Sequence, residues 1–134
     1  MQPKAHNTVL LMARILFSAI FIFSGIAKII GFQATLAYMT SAGLSWHPVG
    51  LEIIAIILEL GGGLLVLLGW HTRLGAACLL LLTLLTSFLI HHFWSYPADM
   101  AQMQMIQFMK NMAMIGGALY IFAFGPGAYS VDKK

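Results

Sequence analysis

Two carboxylates, Glu52 and Glu59, stand inside an apolar run from Leu51 to Trp70, LEIIAIILELGGGLLVLLGW. Their spacing is close to two helical turns, so on a helix both fall on one face, about 10 Å apart along the axis. A carboxylate facing hydrocarbon costs at least about 2–3 kcal/mol, so the chain has to supply cations for them. The candidates are Arg14 and Lys28 in an earlier apolar run and Lys110, beside Asn111, in a later one. With His91 these seven residues form the expected buried polar cluster: Arg14, Lys28, Glu52, Glu59, His91, Lys110 and Asn111. Ionisable residues at membrane depth are candidates for redox-linked or proton-linked work.

The elements that position them follow from composition. Of 134 residues 60% are hydrophobic and 8% charged, with a mean hydropathy of +0.90, where a globular protein has about 25% charged. The apolar residues fall in four blocks, approximately 9–31, 49–69, 73–92 and 105–124, each near the ~20 residues that a hydrocarbon core of roughly 30 Å requires. The expected fold is all-α, an integral membrane four-helix bundle forming a single domain over 1–134. Arg14 interrupts the first block and no small-x-small cleavage site follows it, so the block is expected to stay as a helix rather than be removed as a signal peptide. With four spans Lys4, Arg73, Lys133 and Lys134 lie on one side, which makes both termini cytoplasmic by the positive-inside rule.

Faces can be assigned as well. Arg14, Ser18, Phe21, Gly25 and Lys28 recur at three- and four-residue intervals, so one side of the first helix holds both cations and small residues and should face inward. Thr83, Ser87 and His91 share a face of the third block. The short turn GWHTR (Gly69 to Arg73) forces the second and third blocks to be antiparallel neighbours. Gln33 to Ser41 reads as a short interfacial helix ending near Gly43, Trp46 and Pro48 mark re-entry, and Phe93, Trp94 and Tyr96 form an interfacial belt. Ala113 and Gly117 suit close helix packing. By depth, Lys28, Glu52, His91, His92 and Lys110 lie toward the outer ends, with Asp99 in the adjoining loop. Arg14 lies in the inner half. That predicts Glu59 paired with Arg14, and Glu52 with Lys28 or Lys110.

Simpler readings compete. A buried ion pair can merely fix helix register, lysines can snorkel to the headgroups, and interfacial histidines need no ligand. Adjacent His91 and His92 point about 100° apart on a helix and cannot both face one metal. A haem between His47 and His91 is disfavoured because His47 is in a loop. The methionines from Met100 to Met114 do not converge on one face, which argues against copper. Cys78 has no partner and reads as a buried, inert thiol. The scattered basic residues exclude nucleic acid as a partner. No Walker A loop, HExxH, Rossmann fingerprint or placed nucleophile occurs.

The stretches ARILFSAIFIFSGIAKIIGF (Ala13 to Phe32), LGWHTRLGA (Leu68 to Ala76), HHFW (His91 to Trp94) and FMKNMAMIGGALY (Phe108 to Tyr120), followed by GPGAYSVD, resemble the DoxX family of small four-helix membrane proteins. The resemblance covers nearly the whole chain. It implies a multi-pass protein of the bacterial cytoplasmic (inner) membrane and, by analogy with a founding member in a thiosulfate:quinone oxidoreductase, a redox association. The expected role is a membrane subunit or anchor of a quinone-linked redox complex, without catalytic activity alone. No cofactor is evident; a quinone headgroup near Lys28, Glu52, His91 and Lys110 is the candidate ligand. Candidate partners are the lipid bilayer, a redox protein subunit and a second copy of the chain. The alternatives are a small proton-linked transporter with Glu59 as its protonatable group and a structural assembly factor.

Overall fold

The computed structural model describes residues 3–132, and among them every regular element is a helix. Five α-helices follow one another: α1 Pro3–Ile30, α2 Phe32–Ser41, α3 Pro48–Leu68, α4 Thr72–Leu89 and α5 Ala98–Phe124, with a single 3₁₀ turn at Phe93–Ser95. The segments Lys4–Ile30, Pro48–Leu68 and Thr72–Ser95 are long and apolar enough to cross a membrane. At 27 residues α5 is as long, but Gln102, Gln104, Gln107, Lys110 and Asn111 make its first half more polar. Lys133 and Lys134, counted in the charge argument, lie outside the described residues.

Local chemistry sets the helix ends. Pro48 occupies the first turn of α3, where its missing N–H costs nothing. Gly69 ends α3 at φ +68°, and the Trp70 N–H returns to the Leu65 carbonyl at 3.0 Å. That is the left-handed closure glycine permits. The chain reverses at once into α4, so α3 and α4 pack antiparallel. At Gly75 an added Cβ would stand 2.9 Å from the carbonyl oxygen of Gly62, so the two backbones touch. α3 packs on α1 as well, and α4 on α5, while α1 and α5 meet only sparsely.

The inward face expected of α1 is the one found: Arg14, Ser18, Phe21 and Gly25 are buried and Lys28 half-buried. Phe21, Val66, Ala76 and Leu79 form the core, ringed by Phe17, Met114 and Ile121. Thr83 and Ser87 are buried and His91 half-buried. Gly117 packs against Phe17, but Ala113 on the same helix is exposed and takes no part. Cys78 is half-buried rather than buried, because its position on α4 turns toward the bundle's flank. Asp99, expected in a loop, lies in the first turn of α5, where the helix dipole favours an acid.

The tail after α5 is fastened to the α3–α4 turn. The N–H of Val131 bonds the Leu68 carbonyl at 3.2 Å, and that of Asp132 bonds the Gly69 carbonyl at 2.7 Å. The Asp132 carboxylate accepts the backbone N–H of His71 at 2.9 Å and of Thr72 at 3.1 Å, with the Thr72 hydroxyl at 3.0 Å. An acid distant in sequence thus caps the N-terminus of α4. Gly127 of the tail packs over Leu10 of α1, so the first half of α1, the α3–α4 turn and the tail share one end of the bundle.

Candidate functional site

The end away from that turn is hollow. A partly open cavity of about 480 Å³ is lined by all five α-helices, and Lys28, Glu52, Glu59, His91, Lys110 and Asn111 all face it. Six of the seven residues of the expected polar cluster therefore meet at one place. Arg14 does not.

The register of α1 on α3 explains both the gathering and the exception. A Cβ on Gly25 would stand 2.7 Å from Leu60, and a Cβ on Gly63 would stand 2.9 Å from Ile22. These contacts run the helices antiparallel with Ile26 level with Glu59. Lys28 is two residues from that level, about 3 Å along the axis, while Arg14 is about 18 Å away. Accordingly Lys28 Nζ donates to Glu59 Oε1 at 2.8 Å and Oε2 at 2.9 Å, and to Ser24 Oγ at 2.7 Å. The expected pairing of Glu59 with Arg14 is thus incorrect: depth was counted from the helix ends, and the lysine's long stem reaches back along α1 to Glu59.

Arg14 sits instead beneath the tail. It is 3% exposed, its Nη2 donates to the Tyr129 carbonyl, and its Nε and Nη1 have no partner among the described residues. Gly69 is where it presses on the α3–α4 turn, leaving no room there for a side chain.

Glu52 is corrected too. It is 1% exposed and its Oε1 has no hydrogen-bond partner; neither Lys28 nor Lys110 pairs with it among the described residues. Lys28 is already committed to Glu59 and Ser24. Lys110 is exposed and donates to Gln107 on its own helix, as a snorkelling lysine does.

His91 belongs to a small network absent from the sequence reading. Its Nδ1 lies 2.8 Å from Gln104 Oε1, and Gln104 Nε2 donates to the Tyr38 hydroxyl at 3.0 Å. Gln104 is 1% exposed. A glutamine at a buried position of a helix beside a histidine is the signal that was available. His92 turns away into a smaller cavity of about 260 Å³ beside Tyr96. Among the described residues no three of His, Cys, Asp and Glu converge as a metal would need. Phe88, Phe93 and Trp94 all pack on Phe108, with ring centres 5.4, 5.6 and 5.8 Å away, tying the aromatic belt to α5.

The site is an apolar chamber with one closed ion pair, one unpartnered buried carboxyl and one histidine fixed by an amide. Comparison with known proteins puts it in context. The DoxX family model matches residues 9–92. The chain is 38% identical over 130 residues to inner membrane protein YphA of Escherichia coli (strain K12), covering 97% of this chain and 92% of that one. It is 39% identical over 130 residues to inner membrane protein YqjF of the same organism, covering 97% and 94%. A Surfeit locus protein 4 homolog of Schizosaccharomyces pombe is 32% identical over 95 residues, 69% of this chain but 30% of that protein. No solved structure matches. On the family match and on two relatives aligned nearly end to end, this chain is a membrane protein of the DoxX family.

Proposed function

We propose that the protein is a multi-pass inner-membrane protein with four spans and both termini cytoplasmic, serving as the membrane subunit or anchor of a quinone-linked redox complex. Two relatives carry the name inner membrane protein. The start of α1, the α3–α4 turn with Arg73, and the tail lie at one end, as an even number of crossings demands. A crossing by α5 completes that number.

The observation that carries the reading is the cavity of about 480 Å³. It falls within the range of small-molecule sites, about 300–1,000 Å³, and has their character of an apolar chamber with a few convergent polar groups. The residues present suit the head of a quinone–quinol couple. Aliphatic side chains from α3 and α4 would receive the ring, while Glu52 and His91 stand beside it and the Lys28–Glu59 pair closes the wall. A quinone held there would accept and release electrons supplied by a partner subunit; the chain's own residues bind and orient it. Purification from native membranes in mild detergent tests this. An oxidoreductase subunit and bound quinone should both be recovered, and recovery of neither would refute the reading.

A proton-linked carrier is the second reading, and one observation shifts its centre. Glu59 is held by Lys28, whereas Glu52 is buried in the cavity wall with no salt-bridge partner among the described residues. Proton flux in proteoliposomes lost in Glu52→Gln and kept in Glu59→Gln would favour it.

A further inference from the structure

The polar atoms of the cavity specify more than its volume does. Lys28 Nζ has three contacts, to Ser24 Oγ and to both oxygens of Glu59, so its donors are spent and Glu59 is satisfied. Glu52 is 1% exposed with an unpartnered Oε1. A bare carboxylate at such a position, with Lys28 bound to Glu59 and no salt bridge of its own among the described residues, is the costly state, and a carboxylic acid is the stable one. In that state Glu52 presents an O–H, a hydrogen-bond donor.

His91 presents the opposite polarity. Gln104 Nε2 donates to Tyr38, which directs Gln104 Oε1 at the histidine. A carbonyl oxygen only accepts, so the ring carries its proton on Nδ1. Nε2, which has no partner among the described residues, is left as an acceptor on a ring that lines the cavity. Glu52 and His91 therefore add one donor and one acceptor to a lining that also holds the Asn111 amide and, at its exposed edge, the Lys110 ammonium.

We infer that the cavity binds the hydroxyl head of an uncharged long-chain alcohol or phenol, a group that accepts from Glu52 and donates to His91. A carboxylate would meet the closed Lys28–Glu59 pair, with Lys110 its one cation and that at the exposed edge, and an ammonium would find Glu59 already held by Lys28. A quinone has acceptors only and leaves His91 Nε2 unpaired, whereas its reduced quinol satisfies both residues. This refines the quinone-linked reading of the same site and rests on it for the quinol, but not for the alcohol.

The test is binding to the full chain in nanodiscs, read by native mass spectrometry. The probes are 1-dodecanol, dodecanoate, dodecylamine, and a decyl-substituted benzoquinone with its quinol. The alcohol and the quinol should bind at least about tenfold more tightly than the acid, the amine and the quinone, a tenfold ratio being about 1.4 kcal/mol. Glu52→Gln, which keeps a donor, should retain binding; Glu52→Leu should lose it. His91→Phe should abolish the preference for quinol over quinone, with thermal unfolding confirming that each variant is folded. Equal binding of quinone and quinol would overturn the inference while sparing the redox reading. Binding of dodecanol with no affinity for either quinone form would do the reverse. Absence of binding by all five probes would overturn both.

Discussion

Lys28 on α1 holds both carboxylate oxygens of Glu59 on α3, at 2.8 and 2.9 Å, in the one salt bridge found among the described residues. Lys28 and Glu59 are 24% and 10% exposed at their side chains, so each is the other's main compensation for leaving water. Breaking such a pair from one side strands a charge, while replacing both partners by apolar groups is often neutral or better.

Lys28→Met should therefore lower stability by about 3 kcal/mol, and Glu59→Met by a similar amount. The double variant should recover most of either loss. Thermal or denaturant unfolding in detergent decides it; a double variant as unstable as the two single losses added together would mean the residues do not act as a pair.

Arg14 and Glu59 should be energetically independent. They stand about 18 Å apart along the helix pair, and Arg14 reaches only the Tyr129 carbonyl. Arg14→Met should cost about 1–3 kcal/mol by leaving that carbonyl unpaired. In a double-mutant cycle its coupling to Glu59→Met should stay within about 0.5 kcal/mol. A coupling as large as that of Lys28 with Glu59 would place Arg14 in the cavity after all.

Closeness of α3 and α4 can be probed without charge. A Cβ on Gly75 meets backbone, the Gly62 carbonyl at 2.9 Å, which cannot step aside as a side chain can. Gly75→Ala should destabilise by about 1–3 kcal/mol through forced separation of the helices. Gly61 has nothing within 4 Å of an added Cβ, so Gly61→Ala should be neutral or stabilise by up to about 1 kcal/mol. Melting temperatures of the two alanine variants give the comparison.

The tail should come loose in acid. Backbone N–H groups of Thr72 and His71 hold the Asp132 carboxyl below its ordinary value of 3.8. A carboxyl depressed in the folded state binds its proton less readily there than when released, so its contribution is complete above that ordinary value and fades as pH falls through the lower, folded one. A cysteine placed at Ser130 should resist labelling at neutral pH and become reactive as pH drops below about 4, read with a dithiodipyridine, whose protonated ring keeps it reactive toward thiols in acid. Asp132→Asn should show the loose state at every pH. Labelling of Ser130→Cys that ignores both changes would dissociate Asp132 from tail docking.

Much of this molecule could be read before its structure was in hand, because hydrocarbon imposes simple rules. Helix lengths, the inward stripe Arg14–Ser18–Phe21–Gly25–Lys28 and the antiparallel hairpin at Gly69 follow from periodicity and span length. Partner choice did not follow, because it depends on helix register. Register is set where Gly25 meets Leu60 and Gly63 meets Ile22, contacts that no spacing within one helix reveals. The docking of Asp132 on α4 was equally hidden, since it joins segments sixty residues apart through backbone N–H groups that every residue except proline carries. Gln104 falls just before the apolar block at 105–124 and so outside what hydropathy marks as a span, whereas α5 begins at Ala98.

The chamber beside Lys28 and Glu59 is where a quinone-like molecule should be held. A photoreactive quinone analogue, irradiated with the protein in native membranes and mapped by peptide mass spectrometry, measures that directly. Labels are predicted on cavity residues of α3 and α4 such as Ala55, Leu58 and Thr86, competed by unlabelled quinol and abolished in Ala55→Phe, which fills the chamber. Labelling spread over lipid-facing residues such as Ile57 and Leu81, unchanged by competitor or by Ala55→Phe, would contradict it.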